Sequence, residues 1–204
     1  MKILLMGPPG SGKGTLGEML SQKMGVSLIS VGQTLRDLSK NSPEGVRIHA
    51  YLDRGELAPN DLVAQILKVR LNKQDCQKGF ILDGWGRKLS DIQIFDPGFD
   101  KVVVLNISNE TIIKRISGRR MCDTDGKIYN IYTFSEEDLK KCKGYLTQRS
   151  DDTEEVVKKR IESYQTETLP TIEYFRNRNL LVELDAEGSP NTAFKNLCTA
   201  LGLN

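Results

Sequence analysis

The stretch that most constrains the fold is residues 1–15, where a short apolar run passes directly into a glycine-rich loop. The apolar run, residues 3–6, predicts a buried strand, and the loop GPPGSGKG follows it. Its four glycines let the backbone approach a ligand without a Cβ in the way. Backbone N–H groups, the N-terminal end of the next helix and the ammonium group of Lys13 would together hold phosphate groups. The stretch therefore predicts a strand, a phosphate-binding loop and a helix.

The loop departs at one position from the common pattern G-x-x-x-x-G-K followed by Ser or Thr. Position 14 is glycine, and the hydroxyl comes one place later, at Thr15. A bare glycine-rich loop would leave an ordinary tight turn as the alternative. Because Lys13 directly follows Gly12 after a strand, we expect a nucleotide phosphate site. The residues predicted to contact the nucleotide's phosphates are Gly10, Ser11, Gly12, Lys13, Gly14 and Thr15.

Length and charge bound the class of protein. A chain of 204 residues can form one α/β domain with a small insertion. Its 29 basic and 27 acidic residues are nearly balanced, so we expect no nucleic-acid binding through bulk electrostatics. No apolar run approaches the roughly 20 residues that a membrane span needs, and no leader precedes the first strand. We therefore expect a cytoplasmic protein that does not bind a membrane. The four cysteines are too few for a disulfide framework, and we expect reduced thiols.

Alternation of short apolar runs with amphipathic segments predicts a doubly wound parallel sheet of five strands in an α/β fold. The predicted strands are residues 3–6, 27–30, 80–83, 101–107 and 180–184. The predicted helices lie within residues 13–24, 31–40, 44–55, 60–74, 109–117, 135–142, 153–177 and 190–202. In the helix of residues 153–177, Pro170 should produce a kink.

Two segments interrupt this alternation. Residues 31–55 contain short helices without strands, which predicts a helical flap beside the sheet. Residues 119–149 predict an inserted lid, with a hairpin turned at Asp125 and Gly126 followed by a short helix. The predicted core domain is the remainder, residues 1–30, 56–118 and 150–204.

Asp83 ends the predicted strand of residues 80–83, and a glycine follows it. Ligands of open α/β sheets bind at the carboxyl ends of the strands. Opposite a phosphate-binding loop, this carboxylate would hold Mg²⁺ through water. The alternative is a solvated acid that caps a turn.

Four segments, spread over almost the whole chain, resemble the adenylate kinase family in its long-lid form. GPPGSGKGT at 7–15 matches the family's phosphate-binding loop, including the displaced hydroxyl, and GFILDGWGR at 79–87 resembles the signature GF-[LI]-LDGFPR. RISGRR at 115–120 resembles the lid entry, and RSDDTEEVVKKR at 149–160 the lid exit. The resemblance implies reversible transfer of the γ-phosphoryl group of MgATP to AMP, giving two ADP. It also implies that the partners are these nucleotides and that the protein is a monomer.

The resemblance assigns roles to a set of cationic and polar residues. Phosphoryl transfer needs positioning and positive charge, and arginine binds phosphate in a planar fork. The catalytic residues would be Lys13, Arg87, Arg119, Arg149 and Arg160. The residues that bind AMP would be Val31, Arg36, Gly84, Arg87, Asp91, Arg149 and Arg160. Arg115 would lie against the adenine of ATP, Arg119 would also bind ATP, and Asp151 and Asp152 would orient neighbouring arginines at the lid hinge. Lid closure would exclude water.

The acceptor side departs from the family pattern at several positions. The family's STGD is Ser-Val-Gly-Gln at 30–33, and its Phe-Pro is Trp85 and Gly86. Where the family has a base-reading glutamine, this chain has Asp91, which only accepts hydrogen bonds while ionised. Gln93 could replace that glutamine if the loop shifts. We therefore expect AMP as the acceptor and keep an altered or broadened base preference, for GMP, CMP or UMP, as the alternative.

A more distant alternative is a nucleotide-dependent switch or ATPase that has no acceptor. The retained arginines at 36, 87, 149 and 160 argue against it, because a switch needs no arginines for an acceptor phosphate. In the lid, Cys122, Asp125, Cys142 and Tyr145 keep the spacing of a zinc site known from the family. Tyrosine is a poor zinc ligand, so we expect no structural zinc and a lid held by hydrogen bonds.

Overall fold

The computed structural model describes residues 1–52, 58–149 and 152–203. Five strands form a central sheet: β1 (Lys2–Met6), β2 (Ser27–Ser30), β3 (Phe80–Asp83), β4 (Lys101–Asn106) and, last along the chain, β8 (Leu181–Asp185). Their order is β2-β3-β1-β4-β8, and every neighbouring pair is parallel. The predicted five-stranded parallel sheet is confirmed.

A second, antiparallel sheet lies between β4 and β8 in the chain. Its strands are β5 (Arg119–Cys122), β6 (Ile128–Asn130) and β7 (Leu146–Thr147), in the order β6-β5-β7. The predicted hairpin is its β5–β6 pair, and Gly126 in the turn has a φ of 68° that suits glycine. The third strand was not predicted, because two residues are too few for a strand pattern in the sequence.

The helices are α1 (Lys13–Met24), α2 (Val31–Arg36), α3 (Pro43–Leu52), α4 (Asn60–Leu71), α5 (Leu89–Ile94), α6 (Asn109–Ser117), α7 (Glu136–Leu139), α8 (Glu154–Ser163), α9 (Leu169–Arg176) and α10 (Pro190–Leu201). Helices α2, α4 and α7 are shorter than predicted, and α5 was not predicted. The predicted helix end at Gly55 lies outside the described residues, as do residues 56 and 150, so the predicted domain boundaries stay predictions. No helix in the described ranges is both long and apolar enough to cross a membrane.

The sheet is covered on both faces, which explains why its strands are apolar at consecutive positions. Successive side chains of a strand point to opposite faces. On one face, Ile3 and Leu5 pack with α1 and α10. On the other face, Leu4 and Met6 share a core with α4, α5 and α9. The central position of β1 puts the loop after it at the middle of the sheet's carboxyl edge, beside the end of β3.

The long helix predicted for residues 153–177 is divided into two α-helices. Between α8 and α9 lies one π-helical turn, Tyr164–Thr168, in which the N–H of Leu169 donates to the carbonyl of Tyr164. Pro170 follows as the second residue of α9. Proline has no N–H, and its ring crowds the carbonyl four residues earlier in an α-helix. This wider turn therefore lies directly ahead of Pro170, the residue at which the sequence predicts a kink.

The prediction of reduced cysteines is wrong for two of the four. Cys122 and Cys142 form a disulfide inside a small lid core that also contains Tyr129, Phe134 and Leu146. Cys76 and Cys198 are free thiols. A lid of about 30 residues cannot bury a large core, and cross-links are a common means of holding such small units together. The pairing was not visible in the sequence because the two cysteines are 20 residues apart.

Candidate active site

The loop between β1 and α1 has the backbone of a phosphate-binding loop. Gly7, Gly10 and Gly12 have positive φ angles of 145°, 78° and 93°. A Cβ on Gly7 would lie 2.8 Å from the carbonyl oxygen of Leu105, so this position requires glycine. A Cβ on Gly12 or Gly14 would meet no other atom within 4 Å. These two glycines therefore leave room for an anion at the N-terminal end of α1.

Lys13 turns back over this loop. Its Nζ donates to the carbonyl oxygens of Gly7 at 2.8 Å and Pro8 at 2.9 Å, and to Ser11 Oγ at 3.3 Å. The pKa of Lys13 is lowered to about 8, chiefly by burial; the negative charge of Asp83 raises it, and the positive charges of Arg87 and Arg119 lower it. The ammonium group is thus poorly solvated, and the counter-charge that acts on it within the described parts of the chain is Asp83. An anionic phosphate would be a better partner than the carbonyl oxygens that it now contacts.

Asp83, the last residue of β3, lies directly across from Leu5 of β1 and Ser30 of β2 in the sheet register. Burial raises the pKa of its carboxyl group, while the charges of Lys13 and Arg87 lower it. A carboxylate beside a phosphate-binding loop is a hard oxygen donor of the kind that Mg²⁺ prefers. The residues present therefore fit a magnesium ion bound through water.

Arg87 is close to three of the residues predicted to bind AMP. Its NH2 group lies 3.7 Å from a Cβ built on Gly84, and the Cβ of Val31 lies 3.8 Å from the same point. The Arg87 residue is exposed. Loss of solvation is the largest influence on the pKa of its guanidinium group and lowers it, the negative charge of Asp83 raises it, and the positive charge of Arg160 lowers it. Arg160 on α8 is therefore near enough to repel Arg87. The loop after β3 and the helix after the lid thus meet at this point.

The guanidinium of Arg119 is paired with Asp152. Nε donates to Oδ2 at 2.8 Å, and NH2 forms a second, shorter bond to Oδ1. Arg160 NH1 lies 3.9 Å from the same Oδ1. The carbonyl of Arg149 accepts a hydrogen bond from the N–H of Asp152 at 3.1 Å. Asp152 therefore contacts the three lid-associated arginines predicted to be catalytic, whereas Asp151 lies outside the described residues.

Two further arginines lie at opposite ends of the cleft. Arg115 NH2 donates to the carbonyl oxygens of Ala186 at 2.7 Å, Glu187 at 3.0 Å and Gly188 at 3.2 Å. Its guanidinium is therefore fixed beside the loop after β8, which is consistent with the planar contact predicted for adenine. Arg36 NH2 donates to Gln33 Oε1 at 3.0 Å within α2, next to Gly32.

Asp91 and Trp85 are two of the residues that depart from the family pattern, and both are buried. Asp91 is 5% exposed, and its Oδ2 accepts the N–H of Lys88 at 3.0 Å at the start of α5. Its Oδ1 is buried without a hydrogen-bond partner in the described parts of the chain. Trp85 is a core residue whose Nε1 donates to the carbonyl of Phe95 at 3.0 Å. Gln93, two residues after Asp91 on α5, is exposed, and residues two apart on a helix do not share a face.

The four lid residues that keep the spacing of a zinc site are not brought together as a set. Among the described residues, the side-chain atoms that come within 4.8 Å of one another are those of Cys122, Asp123 and Cys142. Asp125 instead accepts hydrogen bonds from the N–H of Lys127 and the hydroxyl of Tyr129, while Tyr145 is 80% exposed. The disulfide leaves neither cysteine available as a thiolate.

Sequence reasoning missed two contacts that support the site. Glu187 accepts hydrogen bonds from the N–H of Ser108 and from Thr111 Oγ1, and so fixes the loop that holds Arg115. Thr168 Oγ1 donates to the carbonyl of Arg87 at 2.9 Å. Both contacts join residues more than 70 positions apart, and no local pattern marks them.

Comparison with known proteins agrees with this geometry. A sequence model of the family described as "Adenylate kinase" matches residues 5–180. The chain is 37% identical to an adenylate kinase of Clostridium tetani, with 99% of each chain covered. It is 40% identical to those of Thermosipho melanesiensis, with 96% of each chain covered, and of Archaeoglobus fulgidus, with 91% of this chain and 90% of the relative covered.

Proposed function

The chain belongs to the adenylate kinase family and is therefore a phosphotransferase, and we propose that its cleft transfers the γ-phosphoryl group of MgATP to AMP, reversibly and with two ADP as products. The observation that carries this assignment is the convergence of cations from separate elements on one loop. Lys13 interacts electrostatically with Arg87 and Arg119, and Arg87 interacts with Arg160. Such a cluster is costly without anions between its members.

The donor half of the cleft is formed by the loop of residues 7–15 and by Arg115. The backbone N–H groups and Lys13 hold the phosphates, and the fixed guanidinium of Arg115 lies against the adenine. Magnesium, when bound with ATP, supplies charge neutralisation at the phosphates, and Asp83 would hold it through water.

The acceptor half is formed by Arg36 and Arg87, with Val31 and Gly84 beside them. Arg87 binds the phosphate of the monophosphate and presents it to the donor. Arg119, Arg149 and Arg160 then surround the transferred group, whose charge is spread over three oxygens in the transition state. The flap of residues 31–55 and the lid of residues 119–149 close over the two nucleotides and exclude water.

A coupled assay for ADP, with ATP and with or without AMP, tests this function. We expect ADP formation to depend on AMP. Arg87→Gln should raise the KM for AMP and lower kcat, whereas the control Arg176→Gln, which removes a surface arginine paired with Glu173 and Glu183, should change neither. ADP release that does not depend on any monophosphate would instead identify a switch or an ATPase.

A second candidate is the same reaction with a changed acceptor base, and Asp91 is the observation that favours it. An ionised carboxylate can accept from an amino group or an N–H of a base but cannot donate to adenine N1. Steady-state kinetics with AMP, GMP, CMP and UMP, for the wild type and Asp91→Gln, separate the candidates. A strong preference for AMP that Asp91→Gln leaves unchanged would eliminate the second.

We further propose that the protein acts as a cytoplasmic monomer. Sedimentation at assay concentrations tests the oligomeric state, because a stable dimer would sediment at twice the mass of one chain.

A further inference from the structure

The hydroxyl of Thr168 donates a hydrogen bond to the backbone carbonyl of Arg87 across 81 positions of sequence. The bond is 2.9 Å long, and Thr168 is only 7% exposed. A carbonyl that is partly shielded from water and loses a donor is destabilised by its own desolvation. The bond therefore fixes the backbone of a residue whose side chain faces the cleft.

A second contact joins the same two segments. Lys88 Nζ lies 2.6 Å from Glu167 Oε1, and Glu167 Oε2 accepts a hydrogen bond from Ser163 Oγ at 2.7 Å. Two consecutive residues of the π turn thus hold two consecutive residues of the loop after β3. Because both side chains of the ion pair are substantially exposed, it contributes less than the bond from the hydroxyl of the buried Thr168.

The π turn explains why Thr168 faces this loop. Val157 of α8 packs with Ile112 and Ile116 of α6, whereas Ile172 and Phe175 of α9 pack into the core beneath the sheet. One extra residue in a helical turn rotates everything after it by roughly 100° relative to what precedes it. Because of this turn, α8, which carries Arg160, packs with a different face from α9, which is anchored in the core.

The two arginines joined by this arrangement repel each other. The charge of Arg160 disfavours the charged form of Arg87, whereas Asp83, with the larger effect, and Asp91 favour it. The direct Coulomb force between the two guanidinium groups still favours their separation. Fixing the Arg87 backbone to the helix that carries Arg160 limits that separation.

We propose that Thr168 is a positioning residue for phosphoryl transfer: with the π turn it fixes Arg87 relative to Arg160 so that both meet the acceptor phosphate. The proposal rests on the proposed function of Arg87. It assigns Thr168 no contact with substrate, so its effect should be on the acceptor half of the cleft.

Thr168→Val tests this, because valine has nearly the same shape but no donor. We expect a roughly tenfold rise in the KM for AMP together with a lower kcat, since small displacements of a positioned group cost about this much or more. The KM for ATP should change by less than about twofold. Thr168→Ser keeps the hydroxyl and should restore the KM for AMP.

The matched control is Thr171→Val on the same helix. Thr171 is fully buried, and its Oγ1 has no hydrogen-bond partner in the part of the chain that the structure describes. The same substitution there removes no bond, so KM and kcat should be unchanged. Circular dichroism and urea unfolding of each variant show whether it is folded at the assay temperature.

Three results would overturn the proposal. The KM for AMP of Thr168→Val could equal that of Thr171→Val, the KM values for ATP and AMP could rise together, or Thr168→Ser could fail to restore binding. The Arg87→Gln variant distinguishes failure of the Thr168 proposal from failure of the proposed function. An unchanged KM for AMP in Arg87→Gln would show that Arg87 itself does not bind the acceptor. If Thr168→Val does not fold, Glu167→Gln tests the same connection and should raise the KM for AMP by a smaller factor.

Discussion

Arg119 and Asp152, 33 positions apart, form a two-point pair at the base of the lid. The Asp152 side chain has no solvent-accessible surface, and the Arg119 side chain is 19% exposed. An arginine fork against a carboxylate fixes both distance and orientation. The first strand of the lid is thereby held to the segment just before α8.

Asp152→Asn should destabilise the protein and reduce activity. Removing the charge of one partner leaves Arg119 partly buried without compensation, and breaking such a pair typically costs about 3 kcal/mol. Urea unfolding measures the loss, and kcat should fall because Arg119 is no longer oriented. The control Asp138→Asn removes an acid whose pair with Lys141 is exposed, and should change neither quantity appreciably. Equal stability of the two variants would contradict a structural role for the Asp152 pair.

Binding of MgATP should be linked to proton uptake by Lys13. Burial lowers the pKa of this lysine to about 8, so about half of the free protein is neutral there at pH 8. Bound phosphates raise the pKa again, and binding should take up about half a proton at pH 8 and far less at pH 7. Titration calorimetry in buffers of different ionisation enthalpy measures this number. Lys13→Arg, which stays charged, should show no linked uptake, and uptake that persists in this variant must come from another group.

Asp91 should lower stability at neutral pH. Burial raises the pKa of its carboxyl group above the ordinary 3.8. The folded protein therefore binds this proton more tightly than the unfolded chain, and stability falls as pH rises through the raised pKa. Asp91→Asn should raise the urea midpoint at pH 7, and the gain should shrink toward pH 4. Asp61→Asn, at an exposed first-turn position of α4, should show no such pH-dependent gain.

Reduction of the Cys122–Cys142 disulfide should loosen the lid. A closed loop of 20 residues corresponds to about 3 kcal/mol in the chain-entropy model. Hydrogen exchange of the lid amides should quicken on adding a dithiol reductant, while amides of β1 and β4 stay protected. A variant with alanine at both positions should exchange quickly with or without reductant. Unchanged lid exchange in the wild type would show that the other contacts of the lid suffice.

Local pattern was enough to predict the main sheet and much of the cleft. The strand of residues 3–6, the loop after it and the acid at the end of β3 all follow from short-range rules of burial and turn chemistry. Resemblance to a family then identified the arginines, and the structure brings Arg87, Arg119 and Arg160 close to Lys13 or to one another. Helix α5 was missed because six residues carry too little periodicity.

By itself, the sequence determined the parallel sheet and the phosphate-binding loop of residues 7–15, because each depends on residues adjacent in the chain, whereas the arginines were assigned by resemblance to the family. Only the tertiary structure decided which distant groups meet. The Asp152 pair, the lid disulfide and the Thr168 bond join residues between 20 and 81 positions apart. It also decided that Trp85 belongs to the core and that Asp91 is buried at the start of a helix. The physical reason is that burial and pairing energies depend on the surroundings of a side chain, which neighbours in sequence supply only in part.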